Sequence, residues 1–253
     1  MYPFTEAIEC CFQPDTGDTA LSSETETEVY FGLVDELCDK AADYEQVLSD
    51  NERSRADKFK FAEDRFTFIT SHGFLRKILA CKLGIEPSEI DFYIDENNKP
   101  WLEGDKYYFN ISHTKNAFVI VLSEYYPSGI DIEYTLQKID IDSVARIAFS
   151  EKERASLIKD QNLQDNFFRL WTRKEALLKA IGVGIIAELP SVEVSQSRNY
   201  MKKELLYNKY ARPVSDKQLI YSFKVLDYFI SVAVPKETRL KLIMINEINE
   251  RKI

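Results

Sequence analysis

The sequence predicts an α+β protein built from two similar halves related by a pseudo-twofold axis. The order helix, glycine, strand and strand pair occurs twice, about 100 residues apart, although the halves share negligible identity. Gly84 and Gly182 follow the two long predicted helices at equivalent places. No glycine-rich phosphate loop follows any predicted strand, so a doubly wound nucleotide-binding fold has no support. We place the boundary near residue 127, between halves 1–127 and 128–253.

The N-terminal half alternates strand and helix patterns. Short apolar or alternating runs predict strands at 4–12, 28–34, 90–94, 107–112 and 117–123. Ser49 and Glu52 have the spacing of a capping box, which predicts the start of a short helix. A longer helix is predicted over about 64–83, because apolar residues recur at helical spacing and Gly84 follows them.

The C-terminal half repeats this plan with different residues. The segment GIDIEY (129–134) predicts a strand, and Ser150 with Glu153 forms a second capping box that begins a helix. The segment FFRLWTRKEALLKAIGVG (167–184) predicts the second long helix, which ends near Gly182. Strands are predicted near 191–196, 218–225, 228–234 and 240–245.

Charge and composition exclude several classes of function. The chain has 253 residues and a net charge of −9, yet residues 1–39 hold ten acids and no Lys or Arg, so the remainder is almost neutral. Without a strongly basic face, general nucleic-acid binding is not expected. No apolar run approaches the roughly 18 to 20 residues that cross a bilayer. The N-terminus lacks a signal-peptide pattern and the four cysteines lack metal or redox spacing, which predicts a cytoplasmic protein with no membrane contact.

Three carboxylates suggest a metal site. Asp131 and Glu133 lie two apart in a predicted strand, so their side chains share one face. With Glu175 from the long helix they supply hard oxygen ligands, which suit Mg²⁺ bound together with a substrate phosphate. The alternative is an ordinary solvated edge strand.

The long helix carries a second polar pattern. Trp171, Glu175 and Lys179 are spaced four apart and form one stripe, and Lys174 adds a cation suited to phosphate. Trp171 is interpreted as a packing residue. Glu153 has two interpretations, a helix cap or a catalytic base.

Four further residues are candidates for phosphate contacts. Ser112 and His113 end a predicted strand, and Lys99 precedes a proline that stiffens its loop. Arg55 belongs to a basic run on the first two predicted helices. For each of these residues, a plain surface position is the alternative.

The ordered set of motifs NKP (98–100), FNISHT (109–114), GIDIE (129–133), FSEKE (149–153) and WTRKEALLK (171–179) resembles the signature of the Sfp/Gsp-like 4′-phosphopantetheinyl transferases. The resemblance covers roughly residues 48–182. It implies a monomer with its active site between two α+β halves. It also implies transfer of phosphopantetheine from coenzyme A to a serine of an apo acyl or peptidyl carrier protein, with release of 3′,5′-ADP. Such carriers serve fatty-acid, polyketide or nonribosomal-peptide biosynthesis.

The resemblance also implies residue roles. Asp131, Glu133 and Glu175 would bind Mg²⁺. The coenzyme A contacts would come from Arg55, Lys99, Ser112, His113, Lys174 and Lys179. Lys179 would also protonate the leaving group, and Glu153 would be the base. The chain departs from the family at two places: Glu52 stands about three residues before Arg55, where a basic residue is expected, and Thr67 stands two residues after Arg65, where a second arginine is common.

Two alternatives to this enzyme stay open. One is a pseudo-enzyme that binds coenzyme A or a carrier protein without turnover. The other is an unrelated Mg²⁺-dependent phosphate-transfer enzyme on the same fold. The presence of all three carboxylates and both helix lysines, Lys174 and Lys179, disfavours the pseudo-enzyme.

Overall fold

The computed structural model describes residues 25–104, 106–159, 162–182, 189–196, 198–200, 215 and 217–245. The strand predicted at 4–12 lies outside these residues. Within them, no helix is long and apolar enough to cross a membrane.

The described elements are runs of helices and runs of strands, as the predicted α+β fold requires. The first part of the chain forms β1 (Glu26–Leu33), α1 (Ala41–Gln46), α2 (Asp50–Ala56), α3 (Ala62–Leu83), β2 (Phe92–Ile94), β3 (Pro100–Leu102), β4 (Tyr108–Thr114) and β5 (Ala117–Ser123). The second part forms β6 (Gly129–Tyr134), α4 (Ile141–Ala148), α5 (Glu151–Lys159), α6 (Leu163–Ile181), β7 (Arg198–Tyr200), β8 (Lys217–Val225), β9 (Tyr228–Val234) and β10 (Arg239–Ile245). Short 3₁₀ turns occur at Asp35–Lys40, Pro87–Glu89 and Leu189–Ser191.

Two four-stranded sheets form the centre of the molecule, with a small β2–β3 hairpin beside them. The first sheet has the order β10-β1-β5-β4 and the second has the order β6-β9-β8-β7. One apolar cluster joins residues of both sheets, including Val119 of β5 and Val232 of β9. The opposite face of the first sheet packs on α3 and that of the second packs on α6. Because both faces of β5 and β9 are covered, both strands are apolar along almost their whole length.

The long helices α3 and α6 occupy corresponding places and end in the same way. Gly84 and Gly182 both adopt the left-handed conformation, with φ of 71° and 74°. In each case the glycine N–H donates to the carbonyl four residues earlier, Ala80 or Leu178, at 2.8 Å. A residue with a side chain would be strained at this φ, which explains the glycine at both helix ends. The predicted α+β fold with two similar units is confirmed.

The strand predicted near 191–196 is wrong. Val192 and Val194 are buried as a strand pattern would require, but their backbone groups form hydrogen bonds with side chains. The N–H of Val194 donates to Glu153 Oε1 at 2.8 Å, and its carbonyl accepts from Arg173 Nε at 2.7 Å. The alternating apolar side chains are therefore buried, although the backbone of this segment does not pair with another strand.

Candidate functional site

The site lies where the edge of one sheet meets the edge of the other. Strand β4 ends the first sheet and β6 ends the second, and the backbone N–H of Ile130 donates to Asn110 Oδ1 at 2.9 Å across the junction. Alternate residues of β4 therefore face β6, while Phe109 and Ile111 face the α3 side. Ser112 lies on the β6 side and His113 on the other.

A glycine allows α6 to lie directly on β6. A Cβ atom at Gly129 would meet the carbonyl oxygen of Ala176 at 2.1 Å and the amide nitrogen of Ala180 at 2.3 Å. Only a residue without a side chain permits this approach of two backbones. The same strand face carries Asp131 and Glu133 at the next alternate positions, so both carboxylates point at the helix.

Asp131 and Lys179 form the centre of the site. Lys179 Nζ lies 2.6 Å from Asp131 Oδ1 and 2.8 Å from Ser112 Oγ, and the Ser112 hydroxyl donates to the same carboxylate oxygen at 2.9 Å. The other oxygen, Asp131 Oδ2, is buried and has no hydrogen-bond partner among the described residues. Asp131 is only 4% exposed, so this free oxygen is costly unless a ligand binds it.

Glu133 is held differently from Asp131. Its Oε1 accepts from Trp171 Nε1 at 3.1 Å, and its Oε2 accepts from Gln137 Nε2 at 3.0 Å and Thr114 Oγ1 at 3.5 Å. Burial raises the pKa of Glu133 and the charge of Asp131 raises it further, while the hydrogen bonds from Gln137 and Trp171 lower it.

Glu175 completes the group of carboxylates. Burial, followed by repulsion from Asp131, raises the pKa of Glu175 to about 7 although Lys179 opposes this rise. Its Oε1 is buried without a hydrogen-bond partner among the described residues. Among the described residues, no three or more His, Cys, Asp or Glu side chains stand close enough together to hold a metal ion as they are. Two unsatisfied carboxylate oxygens and mutually repelling acids nevertheless fit the ligand chemistry of a hard cation.

Glu153 and Lys174 are paired with each other, apart from this group. Lys174 Nζ lies 2.9 Å from Glu153 Oε2 and also donates to the carbonyl of Val192. Glu153 is fully buried, and it accepts from the backbone N–H groups of Ser150 and Val194 at 2.9 and 2.8 Å. These contacts support the predicted capping box. They also connect α5 and α6 through a buried ion pair.

Lys99 lies against the C-terminal end of α6. Its Nζ donates to the carbonyl of Lys179 at 2.6 Å and lies 4.6 Å from the centre of the Trp101 ring. Burial lowers the pKa of Lys99 to about 8, and the nearby charge of Asp95 opposes this effect. A cation at this end of a helix is favoured by the helix dipole, so Lys99 connects the N-terminal part of the chain to the helix that carries Glu175.

Arg55 and His113 lie on the α3 side of β4. The Arg55 guanidinium lies 5.2 Å from the centre of the Phe68 ring, and His72 stacks on the same ring at 4.0 Å. Desolvation lowers the pKa of His113, part of which still reaches solvent, and the neighbouring His72 and Lys179 lower it further. Cationic and aromatic groups therefore surround this rim of the site.

The sequence did not reveal the groups that hold Glu133. Trp171 was interpreted as a packing residue, and it does stack on Phe167 with an interplanar angle of 9°. Its indole N–H nevertheless donates to the carboxylate of Glu133. The four-residue spacing from Trp171 to Glu175 places both side chains on the same face of the helix, which is compatible with this contact. Gln137 lies in the turn after β6, where no sequence signal identifies it.

Comparisons with known proteins identify the family of the chain. A family model described as the 4′-phosphopantetheinyl transferase superfamily matches residues 127–220, and one described as 4′-phosphopantetheinyl transferase, N-terminal, matches residues 39–125. The 4′-phosphopantetheinyl transferase HetI of Nostoc sp. is 38% identical over 60% of this chain and 67% of its own length.

Two further relatives are similar over a comparable share of the chain. The 4′-phosphopantetheinyl transferase gsp of Aneurinibacillus migulanus is 36% identical over 56% of this chain and 60% of its own length. The 4′-phosphopantetheinyl transferase Sfp of Bacillus subtilis is 31% identical over 58% of this chain and 66% of its own length. The chain thus spans about two thirds or less of the relatives that it matches. A solved structure of Thermotoga maritima holo-[acyl-carrier-protein] synthase (AcpS) aligns with a TM-score of 0.29 and 15% identity, over 45% of this chain and 64% of that one.

Proposed function

Because the chain belongs to the 4′-phosphopantetheinyl transferase superfamily, we propose that it transfers 4′-phosphopantetheine from coenzyme A to an apo acyl or peptidyl carrier protein. In this reaction the serine oxygen of the carrier attacks the phosphorus next to pantetheine. The bond from that phosphorus to the ADP oxygen breaks, the serine proton is lost, and 3′,5′-ADP leaves.

One observation carries the proposal. Lys179 Nζ lies within hydrogen-bond distance of Asp131 and Ser112, beside a second carboxylate, Glu175, whose Oε1 is unsatisfied among the described residues. Attack on a diphosphate requires neutralised charge and fixed geometry, and the nucleophile comes from the partner. The site supplies a cation, a hydroxyl and oxygen ligands, and it has no need of a nucleophile of its own.

Asp131 and Glu175 would hold Mg²⁺ through their free oxygens, and Glu133 is the third predicted ligand. Bound Mg²⁺ would neutralise the diphosphate oxygens and relieve the repulsion among the carboxylates. Lys179 would donate the proton that the departing 3′,5′-ADP oxygen receives. Its ammonium group is suited to this role because its ion pair with Asp131 holds it at the centre of the site. Ser112 would orient that amine.

Coenzyme A would extend from this centre toward the α3 rim. Arg55 and His113 would bind its phosphate groups, since cations and a ring already cluster there. Lys99 would act at the diphosphate end, next to the end of α6. The predicted phosphate contact of Lys174 and base role of Glu153 stay predictions, and the pair that they form supports a role in fixing α5 against α6.

We also propose that the protein works as a cytoplasmic monomer on carriers of fatty-acid, polyketide or nonribosomal-peptide synthesis. The acidic N-terminal segment and nearly balanced remainder disfavour a nucleic acid or an anionic lipid surface as the partner.

A direct experiment tests the reaction. The protein is incubated with coenzyme A, Mg²⁺ and a panel of apo carriers, and each carrier is then weighed by mass spectrometry. We expect a gain of one phosphopantetheine on at least one carrier, and none after chelation of Mg²⁺ or with Asp131→Asn. Binding of coenzyme A without any such gain would instead support the pseudo-enzyme.

A further inference from the structure

In the described part of the chain, side chains rather than a backbone ladder join the two sheets at the junction of β4 and β6. Three alternate residues of β4 reach across it, and their partners follow one another along β6: Asn110 with Ile130, Ser112 with Asp131 and Thr114 with Glu133. Asn110 differs from the other two, because its partner is the backbone and not a carboxylate of the site. Its contact therefore does not depend on what those carboxylates bind.

The hydrogen bond between Asn110 and Ile130 is buried. Asn110 is 8% exposed and Ile130 is fully buried, and the amide nitrogen of Ile130 lies 2.9 Å from Asn110 Oδ1. Because this N–H is directed at β4, it is not available to β9, the only described neighbour of β6 in its sheet. Loss of the Asn110 oxygen would leave a buried backbone N–H without an acceptor, which is costly. Asn110 thus satisfies the edge of β6 at this point.

Ile130 lies between the residue that brings β6 onto α6 and the first carboxylate of the site. Gly129 allows the backbones of β6 and α6 to touch, and Ile130 fixes the next position of β6 to β4. Asp131 follows directly, and its Oδ1 accepts from Ser112 of β4 and from Lys179 of α6. Two consecutive residues therefore determine where Asp131 stands relative to both neighbouring elements.

We propose that Asn110 is a positioning residue for the transfer reaction, which holds β6 against β4 so that the reacting groups of the two halves meet. The inference rests on the proposed function, in which most coenzyme A contacts come from the first half and the carboxylates and Lys179 come from the second. Asn110 acts only through the position of β6. A displacement of about 1 Å between reacting groups can reduce a rate by up to about 100-fold.

The backbone amide of Ile130 provides a test that requires no turnover. In a ¹⁵N-labelled sample without coenzyme A, the hydrogen exchange rate of this amide reports its bond to Asn110. Asn110→Leu has a similar volume but no acceptor, so we expect it to accelerate the exchange by about tenfold or more. Asn110→Asp keeps the acceptor and should leave the exchange within about threefold of the wild type. Unchanged exchange in Asn110→Leu would show that the bond does not hold this edge and would overturn the inference.

Kinetics separates positioning from a loss of stability. For Asn110→Leu we expect kcat per folded molecule to fall about tenfold, while the KM for coenzyme A changes less than about twofold, because most of the proposed contacts with coenzyme A lie on the β4 side of the junction. In Asn110→Asp, kcat should return to within about threefold of the wild type. A wild-type kcat in Asn110→Leu overturns the inference. So does a low kcat in Asn110→Asp when its Ile130 amide is as protected as in the wild type.

Asn199 supplies a matched control at the opposite edge of the second sheet. It is 5% exposed, and its Nδ2 donates to the backbone carbonyl of Gln196 at 2.8 Å. Its strand, β7, is separated from β6 by β8 and β9. Asn199→Leu therefore removes a side chain–backbone hydrogen bond of a buried asparagine, and we expect a lower Tm with an unchanged kcat. An equal fall of kcat in Asn199→Leu and Asn110→Leu would make lost stability the cause and overturn the inference.

These outcomes are distinguishable from failure of the proposed function. Transfer to carrier proteins by the wild type tests the reaction alone, and exchange of the Ile130 amide tests the bond in protein that does not react. A wild type that transfers nothing to any carrier refutes the function. Normal transfer by both the wild type and Asn110→Leu refutes the inference and leaves the function standing.

Discussion

At the scale of single residues, the site concentrates charge that the fold does not neutralise. Asp131, Glu133 and Glu175 face one another, and Lys179 is the cation bonded to Asp131. The charge of Asp131 raises the pKa of both glutamates, which means that it destabilises their ionised forms. The Mg²⁺ that we propose to bind here would relieve this repulsion, and without the ion the repulsion reduces the stability of the fold.

Glu175→Gln should therefore stabilise the metal-free protein. The pKa of Glu175 is about 7 in the fold and 4.5 in the unfolded chain. Ionisation of this carboxyl group therefore lowers the free energy of unfolding at any pH above 4.5, and the full loss is reached above pH 7. At pH 8 we expect the free energy of unfolding to rise by about 1–2 kcal/mol and the stabilisation by Mg²⁺ to disappear. Thermal denaturation with and without Mg²⁺ measures both. Glu103→Gln, an exposed acid, serves as the control, and a lower metal-free Tm for Glu175→Gln would contradict this account.

Lys99 should give stability a pH dependence in the alkaline range. Its pKa is about 8 in the fold against 10.5 in the unfolded chain, so between these values the unfolded state binds more protons. The destabilisation caused by burying the charged Lys99 is constant below pH 8 and diminishes as the pH rises to 10.5. The free energy of unfolding of the wild type should rise relative to that of Lys99→Gln across this range, by at most about 3 kcal/mol. Urea denaturation measures it, and Lys138→Gln, an exposed lysine, should show no such trend.

At the scale of elements, the approach of α6 to β6 places the carboxylates beside the helix. Gly129 permits this approach, because its missing side chain leaves room for the Ala176 carbonyl. We expect Gly129→Ala to reduce the free energy of unfolding by at least about 3 kcal/mol, since the clash is with backbone and cannot be relieved by a rotamer change. Gly84→Ala is the matched control.

The control separates two effects of glycine. Gly84 has a positive φ, but a Cβ added there would meet no atom within 4 Å among the described residues, so its substitution should cost only about 1 kcal/mol. Chemical denaturation compares the two variants. Equal losses would show that the helix does not depend on the close contact at Gly129.

A buried ion pair between Glu153 and Lys174 joins α5 to α6. Glu153→Gln leaves Lys174 charged in a buried place, so we expect a loss of about 3–5 kcal/mol. The double variant Glu153→Gln/Lys174→Met should recover part of it. The transfer rate per folded molecule of Glu153→Gln then decides its chemical role: a rate near that of the wild type excludes the predicted base, and a loss of several hundredfold supports it.

At the scale of the whole molecule, the two sheets share one core. Strand β10 is the last described strand yet pairs in parallel with β1, and apolar residues of both sheets form a single cluster. We therefore expect one cooperative unfolding transition for both halves.

Leu242→Ala tests this coupling. Leu242 lies in β10 and is 4% exposed, so its truncation should cost about 2–4 kcal/mol and lower a single Tm. Calorimetry provides the measurement, together with the fluorescence of Trp101 and Trp171 from the two halves. Separate transitions for the two tryptophans would show that the halves unfold independently.

Much of this molecule was predictable from local patterns. The strands at 117–123, 129–134 and 228–234, the helix over about 64–83 and both capping boxes follow from periodicity and capping chemistry, and the structure confirms them. The order of the motifs from Lys99-Pro100 to Lys179 predicted the family, which the family models and the relatives confirm. The site residues themselves stay predictions.

What the tertiary structure alone decided concerns partners distant in the chain. Alternation in a strand determines that Asp131 and Glu133 share a face, but not that Trp171 and Gln137 occupy the oxygens of Glu133. Helical spacing places Lys174 beside Glu175, but only packing pairs it with Glu153. Apolar alternation buries 191–196, but no strand forms there because side chains occupy its backbone groups. Local sequence determines which way a side chain points, whereas its hydrogen-bond partner depends on which elements the core brings together.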